Sequence, residues 1–296
     1  MRIVVAGSSG FLGGALVPYL HERGHEVVRL VRRPAVGSGE SSWDPYAGRI
    51  DQEVVDTADV VVNLAGSPTV GNPHSRRWAE RLRESRVTTT ALLASSIAAA
   101  ARPPAFLAGN GISYYGDHGD EVLTEASTPV GDALLTRVTR EWQDATEPAA
   151  AAGSRVCILR TSPVLDRSNP PLSLQLPMFR AGLGARIGDG SQWFPVISRP
   201  DWVAAVTWLA EHSDISGPVN LCCPQVPTNA EFTDALADAV GRRARLRVPT
   251  GLVRLGAGAM APEVLGSLRT RPAAIEASGF SFADYDVRDV LRTALN

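Results

Sequence analysis

The chain has 296 residues, a formal net charge of −2, and 44% hydrophobic against 20% charged residues, enough for one large domain or a main domain with a smaller companion. A balance this even, with no basic stripe and no acidic tail, argues against nucleic acid or a membrane surface as partner. All 29 basic residues are arginine, which excludes any mechanism that needs lysine, and Cys157, Cys222 and Cys223 lack metal-ligand spacing.

Taken along the chain, Arg2 to Ala6 reads as a buried strand and Phe11 to Arg23 as a helix with apolar residues at Phe11, Leu12, Ala15, Leu16 and Leu20. Glu26 to Val31 is the second strand, followed by a glycine-rich loop containing Ser42-Trp43-Asp44. Val54 to Ala58 predicts a short helix, Asp59 to Leu64 a third strand, Arg76 to Ala101 a long helix and Ala105 to Gly109 a strand. Gly131 to Ala152 predicts one helix, stopped by Gly153, and Arg155 to Arg160 the next strand. Repeated units of this length predict an α/β, Rossmann-type doubly wound parallel sheet. Beyond Thr161 the rhythm breaks at Pro163, Pro170, Pro171 and Pro177. A helix from Asp201 to Glu211, a returning strand from Val219 to Cys223 and a helix from Asn229 to Val240 precede a small helical end. The expected division is a dinucleotide-binding domain over 1–165, with a returning segment near 197–224, and a smaller, discontinuous C-terminal substrate domain over 166–296. The first strand leaves no room ahead of it for a signal peptide, and no apolar run reaches about 18 residues, so the expected compartment is cytoplasmic.

The first strand runs into Gly7-Ser8-Ser9-Gly10-Phe11-Leu12-Gly13 and then a helix. In that context glycines let the backbone approach a pyrophosphate, which sits on the N–H groups opening the helix. The end of the second strand reads Val31-Arg32-Arg33, with no acid until Glu40. A carboxylate there would accept hydrogen bonds from a ribose 2′-hydroxyl; guanidinium pairs with a 2′-phosphate, so NADP(H) is the expected cofactor. Asn63-Leu64-Ala65-Gly66 closes the third strand with residues small enough for a cofactor to lie across the strand end.

Together these residues resemble the short-chain dehydrogenase/reductase superfamily, in its extended, nucleotide-sugar-epimerase-like branch, and within it an atypical family of nucleoside-diphosphate-sugar epimerases. The resemblance spans nearly the whole chain. It is carried by the two glycine-bearing segments above, Arg76-Arg77-Trp78 with Ser85-Arg86, Tyr114-Tyr115-Gly116-Asp117, Arg140-Glu141-Trp142, Leu159-Arg160-Thr161, Gly190-Ser-Gln192-Trp193 and Thr228-Asn229-Ala230-Glu231-Phe232. It implies a nicotinamide site that also includes Thr139 and Thr161. It further implies a substrate pocket faced by Gln192 and Trp193, and a small-molecule substrate, with nucleotide sugars as one class.

The superfamily's Tyr-x-x-x-Lys dyad falls here on Leu135 and Thr139, and its partner serine nearest Asn110, which cannot shuttle a proton. Tyr114 and Tyr115 are the tyrosine candidates, each needing a cation such as Arg86, Arg137 or Arg140, or else serving only to pack; water or the loop carboxylates Asp117, Asp120 and Glu121, otherwise a solvated loop, are the alternatives. Trp193 either stacks on a ligand ring or caps the small domain. Two functions stay open: an NADP(H)-dependent epimerase or oxidoreductase, and a cofactor-binding sensor or scaffold without turnover.

Overall fold

Ile3 and Val5 enter one apolar core and Val4 and Ala6 another, because successive side chains of a strand point to opposite faces. That alternation sets the layering of the protein, whose computed structural model describes residues 1–296. The first half comprises β1 (Arg2–Ala6), α1 (Gly13–Glu22), β2 (Glu26–Val31), β3 (Glu40–Ser42), α2 (Gln52–Asp56), β4 (Val60–Asn63), α3 (Arg76–Ala99) and β5 (Ala105–Gly111). Next come β6 (Val122–Leu123), α4 (Leu134–Asp144), α5 (Glu147–Ala151) and β7 (Val156–Thr161). The chain continues through β8 (Val164–Leu165), α6 (Leu172–Arg180), β9 (Ala185–Ile187), β10 (Ile197–Ser198), α7 (Arg199–Glu211) and β11 (Gly217–Leu221). It ends with α8 (Asn229–Ala239), β12 (Leu246–Val248), α9 (Thr250–Ala257), α10 (Ala261–Leu265), β13 (Arg269–Thr270), α11 (Ala273–Ala277) and α12 (Val287–Leu295).

Seven strands form one parallel sheet in the order β11-β7-β5-β4-β1-β2-β3. The chain winds outward from β1 in one direction, returns to β4 and winds out in the other. The strand order therefore reverses between β1 and β4, where a crevice opens at the carboxyl edge. Ala6 lies opposite Asn63 and Asn63 opposite Ala108, so the three strand ends that flank the crevice are level. One face is covered by α1 and α7 through Leu16, Leu20, Trp202, Val206 and Leu209; the other by α3 through Leu93, Ala94 and Ile97. Each such fully buried aliphatic side chain contributes about 1.5–3 kcal/mol.

A third core gathers Leu172, Leu176 and Phe179 of α6, Phe232 and Leu236 of α8, and Val290 and Leu291 of α12. The C-terminal segment is also tied to the first half, since β13 pairs with β6. No helix is long and apolar enough to cross a membrane.

Local differences from the expected elements have local causes. Glu40–Ser42, expected as loop, is the seventh strand, paired to β2 with Arg29 opposite Glu40. The single helix expected over residues 131–152 is two, α4 and α5; Thr146 Oγ1 donates to the Gln143 carbonyl at 2.7 Å at the break. Pro148 then sits in the first turn of α5, where its missing N–H leaves no bond unmade. The returning strand closes at Leu221, leaving Cys222 and Cys223 buried beyond it.

Candidate active site

Gly7 has φ +81°, and a Cβ there would stand 2.6 Å from the Leu64 backbone; one on Gly13 would stand 2.3 Å from the Gly7 carbonyl oxygen. Two of the three glycines thus serve close backbone packing between the β1 loop, the end of β4 and α1. Ser8, Ser9, Gly10, Phe11 and Leu12 line the outside of that turn, partly or fully exposed. No side chain caps α1 and its first turn carries no acid; the N–H groups of Gly14, Ala15 and Leu16 bond to the Gly10 and Leu12 carbonyls, which leaves those of Phe11, Leu12 and Gly13 without a protein acceptor at the crevice.

At the end of β2 the two arginines have different fates. Arg33 donates Nη1 and Nη2 to the two carboxylate oxygens of Glu40, both at 2.7 Å, and Arg29 reaches the same carboxylate at 2.8 Å. The Arg33 guanidinium, with the Val36 N–H, holds the Glu40 carboxyl down at about 2. Arg32 is exposed and makes no side-chain hydrogen bond or ion pair. The one acid near this strand end is therefore neutralised, and Arg32 is the guanidinium left over.

Asn63 is fully buried; its Nδ2 donates to Thr90 Oγ1 at 2.8 Å, and its Oδ1 accepts from the Ala65 N–H at 3.0 Å. It fixes the Leu64-Ala65-Gly66 turn and spends its polar groups doing so. Beneath exposed Gly66 lies Arg86, whose Cγ would be 3.4 Å from a Cβ at that glycine. Arg86 sits over the Trp142 ring at 5.2 Å, and its Nη1 donates only to the Leu82 carbonyl of its own helix, at 3.0 Å. No carboxylate faces it, and burial lowers its pKa to about 10. This is an arginine without a counter-ion at the crevice.

The remaining catalytic candidates move away from chemistry. Tyr115 is 0% exposed; its hydroxyl donates to Asn220 Oδ1 at 2.7 Å and accepts from Arg160 Nη1 at 2.8 Å. Burial pushes its pKa up to about 12, and its ring packs in a buried cluster with Ile112 and Leu123, where sequence reasoning expected a proton carrier. The cation that serves it is Arg160, not Arg86, Arg137 or Arg140. Arg160 also lies 3.6 Å above the Tyr114 ring, which packs edge-on against Tyr115. Tyr114 is half-buried, and its hydroxyl has no protein partner. Asn110 donates Nδ2 to the Thr139 carbonyl at 3.0 Å and accepts from the Gly111 N–H at 2.7 Å, which pins β5 to α4. Thr139 returns its hydroxyl to the Leu135 carbonyl at 2.8 Å, with its methyl 3.2 Å from a Cβ at Gly111. Thr161 Oγ1 accepts from Trp202 Nε1 at 3.1 Å.

Gln192 and Trp193, expected to face a substrate pocket, each make a side-chain hydrogen bond within the protein. Gln192 Nε2 donates to the Ile187 carbonyl at 3.3 Å. Trp193 Nε1 donates to Asp120 Oδ1 at 3.0 Å, and Arg269 lies 4.4 Å over its ring. The tryptophan closes the C-terminal segment onto the acidic loop after the tyrosines. Ser267 completes that closure: its N–H donates to Asp117 Oδ1 at 3.1 Å and its hydroxyl to the Gly119 carbonyl at 2.6 Å.

Behind this closure is a cleft of about 380 Å³, walled by Ser113 and Gly116 of the tyrosine loop, Asp132 and Thr136 at the start of α4, and Glu263 of α10. Ser113 lies just past the carboxyl end of β5, and Thr136 one turn before Thr139. Glu263 is a residue that sequence reasoning missed, as are Ser113 and Arg160. Burial raises the Glu263 pKa, opposed by the Ser113 side chain and the Leu135 backbone N–H, and its Oε1 has no hydrogen-bond partner.

Against known proteins, residues 3–222 match the NAD dependent epimerase/dehydratase family, and residues 248–294 match a domain of unknown function, DUF1731. Epimerase family protein ML0860 of Mycobacterium leprae is 38% identical over 297 residues, covering 99% of this chain and 95% of its own. The crystal structure of human epimerase family protein SDR39U1 (isoform 2) with NADPH superposes with a TM-score of 0.88 at 30% identity, over 99% of both chains. A nucleoside-diphosphate sugar epimerase from Corynebacterium glutamicum superposes with a TM-score of 0.82 at 34% identity, over all of this chain and 58% of that one.

Proposed function

The chain belongs to the NAD dependent epimerase/dehydratase family, and within it we propose an NADP(H)-dependent epimerase or oxidoreductase of small molecules, nucleotide sugars among them. The observation that carries this is the uncapped start of α1 at the β1/β4 crevice, with Arg32 unpaired at the neighbouring strand end. The human relative solved with NADPH supports the choice of the phosphorylated cofactor.

The residues present fit such a cofactor. Uncapped N–H groups and the positive end of α1 favour a pyrophosphate. The extra phosphate falls to Arg32, because Arg33 is spent on Glu40. In the turn held by Asn63, Ala65 and Gly66 present little side-chain bulk, and Arg86 below Gly66 offers a desolvated positive charge to an anionic group of cofactor or substrate. When bound, the nicotinamide supplies hydride exchange with a carbinol or carbonyl carbon. The protein's own work is to orient that carbon, exclude water and move a proton at the substrate oxygen.

The test is direct binding. Titration of the protein with NADPH and NADH, followed by energy transfer from tryptophan, should show saturable binding, tighter for NADPH. No binding of either at millimolar concentration removes the reading.

A further inference from the structure

The family's tyrosine–lysine pair is replaced here by Leu135 and Thr139, and Tyr115 is sealed in the core. A site that moves a proton needs another group, and one carboxyl in the cleft beyond β5 has the required surroundings. Glu263 reaches into the cleft from α10, across from Ser113. The groups that face it are the Ser113 side chain and the backbone N–H of Leu135 in the first turn of α4. That N–H belongs to the residue standing where the superfamily places its tyrosine. The C-terminal segment thus brings a carboxyl to the backbone of the residue at which the phenol is missing.

We propose that Glu263 is the acid/base carboxyl of this cleft, exchanging a proton with the oxygen of a small carbonyl or alcohol substrate held between Ser113 and Thr136. This rests on the NADP(H)-dependent reading. In the reducing direction the substrate carbonyl carbon receives a hydride, with its electron pair, from NADPH. The carbonyl oxygen takes the proton of the Glu263 carboxyl, and an alcohol and NADP+ leave. The Glu263 carboxylate is then protonated again from solvent.

Glu263 Oε1 is buried without a partner, and burial outweighs the two neighbours that favour the charged form. The titratable groups sharing its walls are Asp117 on the tyrosine loop and Asp132 ahead of α4; no arginine or histidine lines the cleft. Asp117 is engaged with the N–H groups of Gly119 and Ser267. Asp117 and Asp132 are exposed, which leaves Glu263 as the part-buried acid of the cleft, with an unpartnered oxygen.

Two readouts test this. In protein labelled with 13C at glutamate Cδ, the resonance lost in Glu263→Gln should titrate above about 4.3, the ordinary glutamate value. Ser113→Ala should move it higher still, because a neighbour that favours the carboxylate is gone. Titration at or below the ordinary value, or no response to Ser113→Ala, overturns the proposal without reference to turnover. On the NADPH-loaded protein, reduction of menadione or diacetyl should fall about 100-fold or more in Glu263→Gln, with NADPH affinity unchanged. It should also decline as pH rises through the measured titration. Equal rates in both proteins, or reduction of neither probe although NADPH binds, overturns the role of Glu263 alone. Failure of the unmodified protein to bind NADPH overturns the parent reading as well. Should Glu263→Gln not fold, Glu263→Asp with Ser113→Ala carries the same two readouts.

Discussion

Removing Arg32 separates the recognition of the extra phosphate from everything else the protein does. Arg32 is exposed and makes no hydrogen bond within the protein, so Arg32→Ala leaves no orphaned partner behind. Its whole effect falls on the complex. A charge-assisted hydrogen bond is worth about 1.5–3 kcal/mol. At about 1.4 kcal/mol per tenfold that is roughly a 10- to 100-fold loss of NADPH affinity, at the lower end because the site is open to salt. NADH, which lacks the phosphate, should bind Arg32→Ala and the unmodified protein alike. Arg33→Ala is the control. It breaks the bidentate pair with Glu40, so it should lower the melting temperature while changing the NADPH-to-NADH ratio less. Parallel fluorescence titrations with both nucleotides at two salt concentrations decide the matter. Equal weakening of both nucleotides by Arg32→Ala, or a larger selectivity loss from Arg33→Ala, refutes the assignment.

Tyr115→Phe strips Arg160 Nη1 and Asn220 Oδ1 of a buried partner, so denaturant unfolding should show a loss of about 1–3 kcal/mol with NADPH binding intact; a stable variant that no longer binds would contradict the core role. The same phenol gives an alkaline signature. The folded protein keeps the proton to about 12, while the unfolded chain releases it near about 10. Stability from this group is complete below the lower value and falls by about 1.4 kcal/mol per pH unit between the two. Melting curves across that range should lose part of their slope in Tyr115→Phe, and an unchanged slope would count against the buried neutral phenol. Gly13→Ala places a methyl 2.3 Å from the Gly7 carbonyl and should cost about 1–3 kcal/mol together with NADPH affinity, whereas Gly14→Ala meets open space and should be tolerated; similar melts for the two variants would show that the loop yields freely.

What the sequence made legible followed from short-range pattern. The strand–glycine–helix opening, the paired arginines after β2 and the Asn63 turn all lie within one supersecondary unit, where period and turn chemistry act over a few residues. Glu40–Ser42 escaped notice because a three-residue polar edge strand has no apolar alternation; its place is set by Arg29 and Arg33 gripping Glu40. Adjacent tyrosines look alike in a sequence, and only the distant Asn220 and Arg160 decide that Tyr115 turns inward. Glu263 was out of reach for the same reason. Nothing in Ala-Pro-Glu-Val-Leu marks a reactive group until the fold sets it beside Ser113.

The hydroxyl and amide of Ser267, bonded to Gly119 and Asp117, fasten the last portion of the polypeptide across a chamber whose other walls come from its middle. The two bonds join stretches of chain about 150 residues apart, so a Ser267→Ala variant, which keeps the amide bond and loses the hydroxyl one, would loosen this wall of the chamber without touching the parallel sheet.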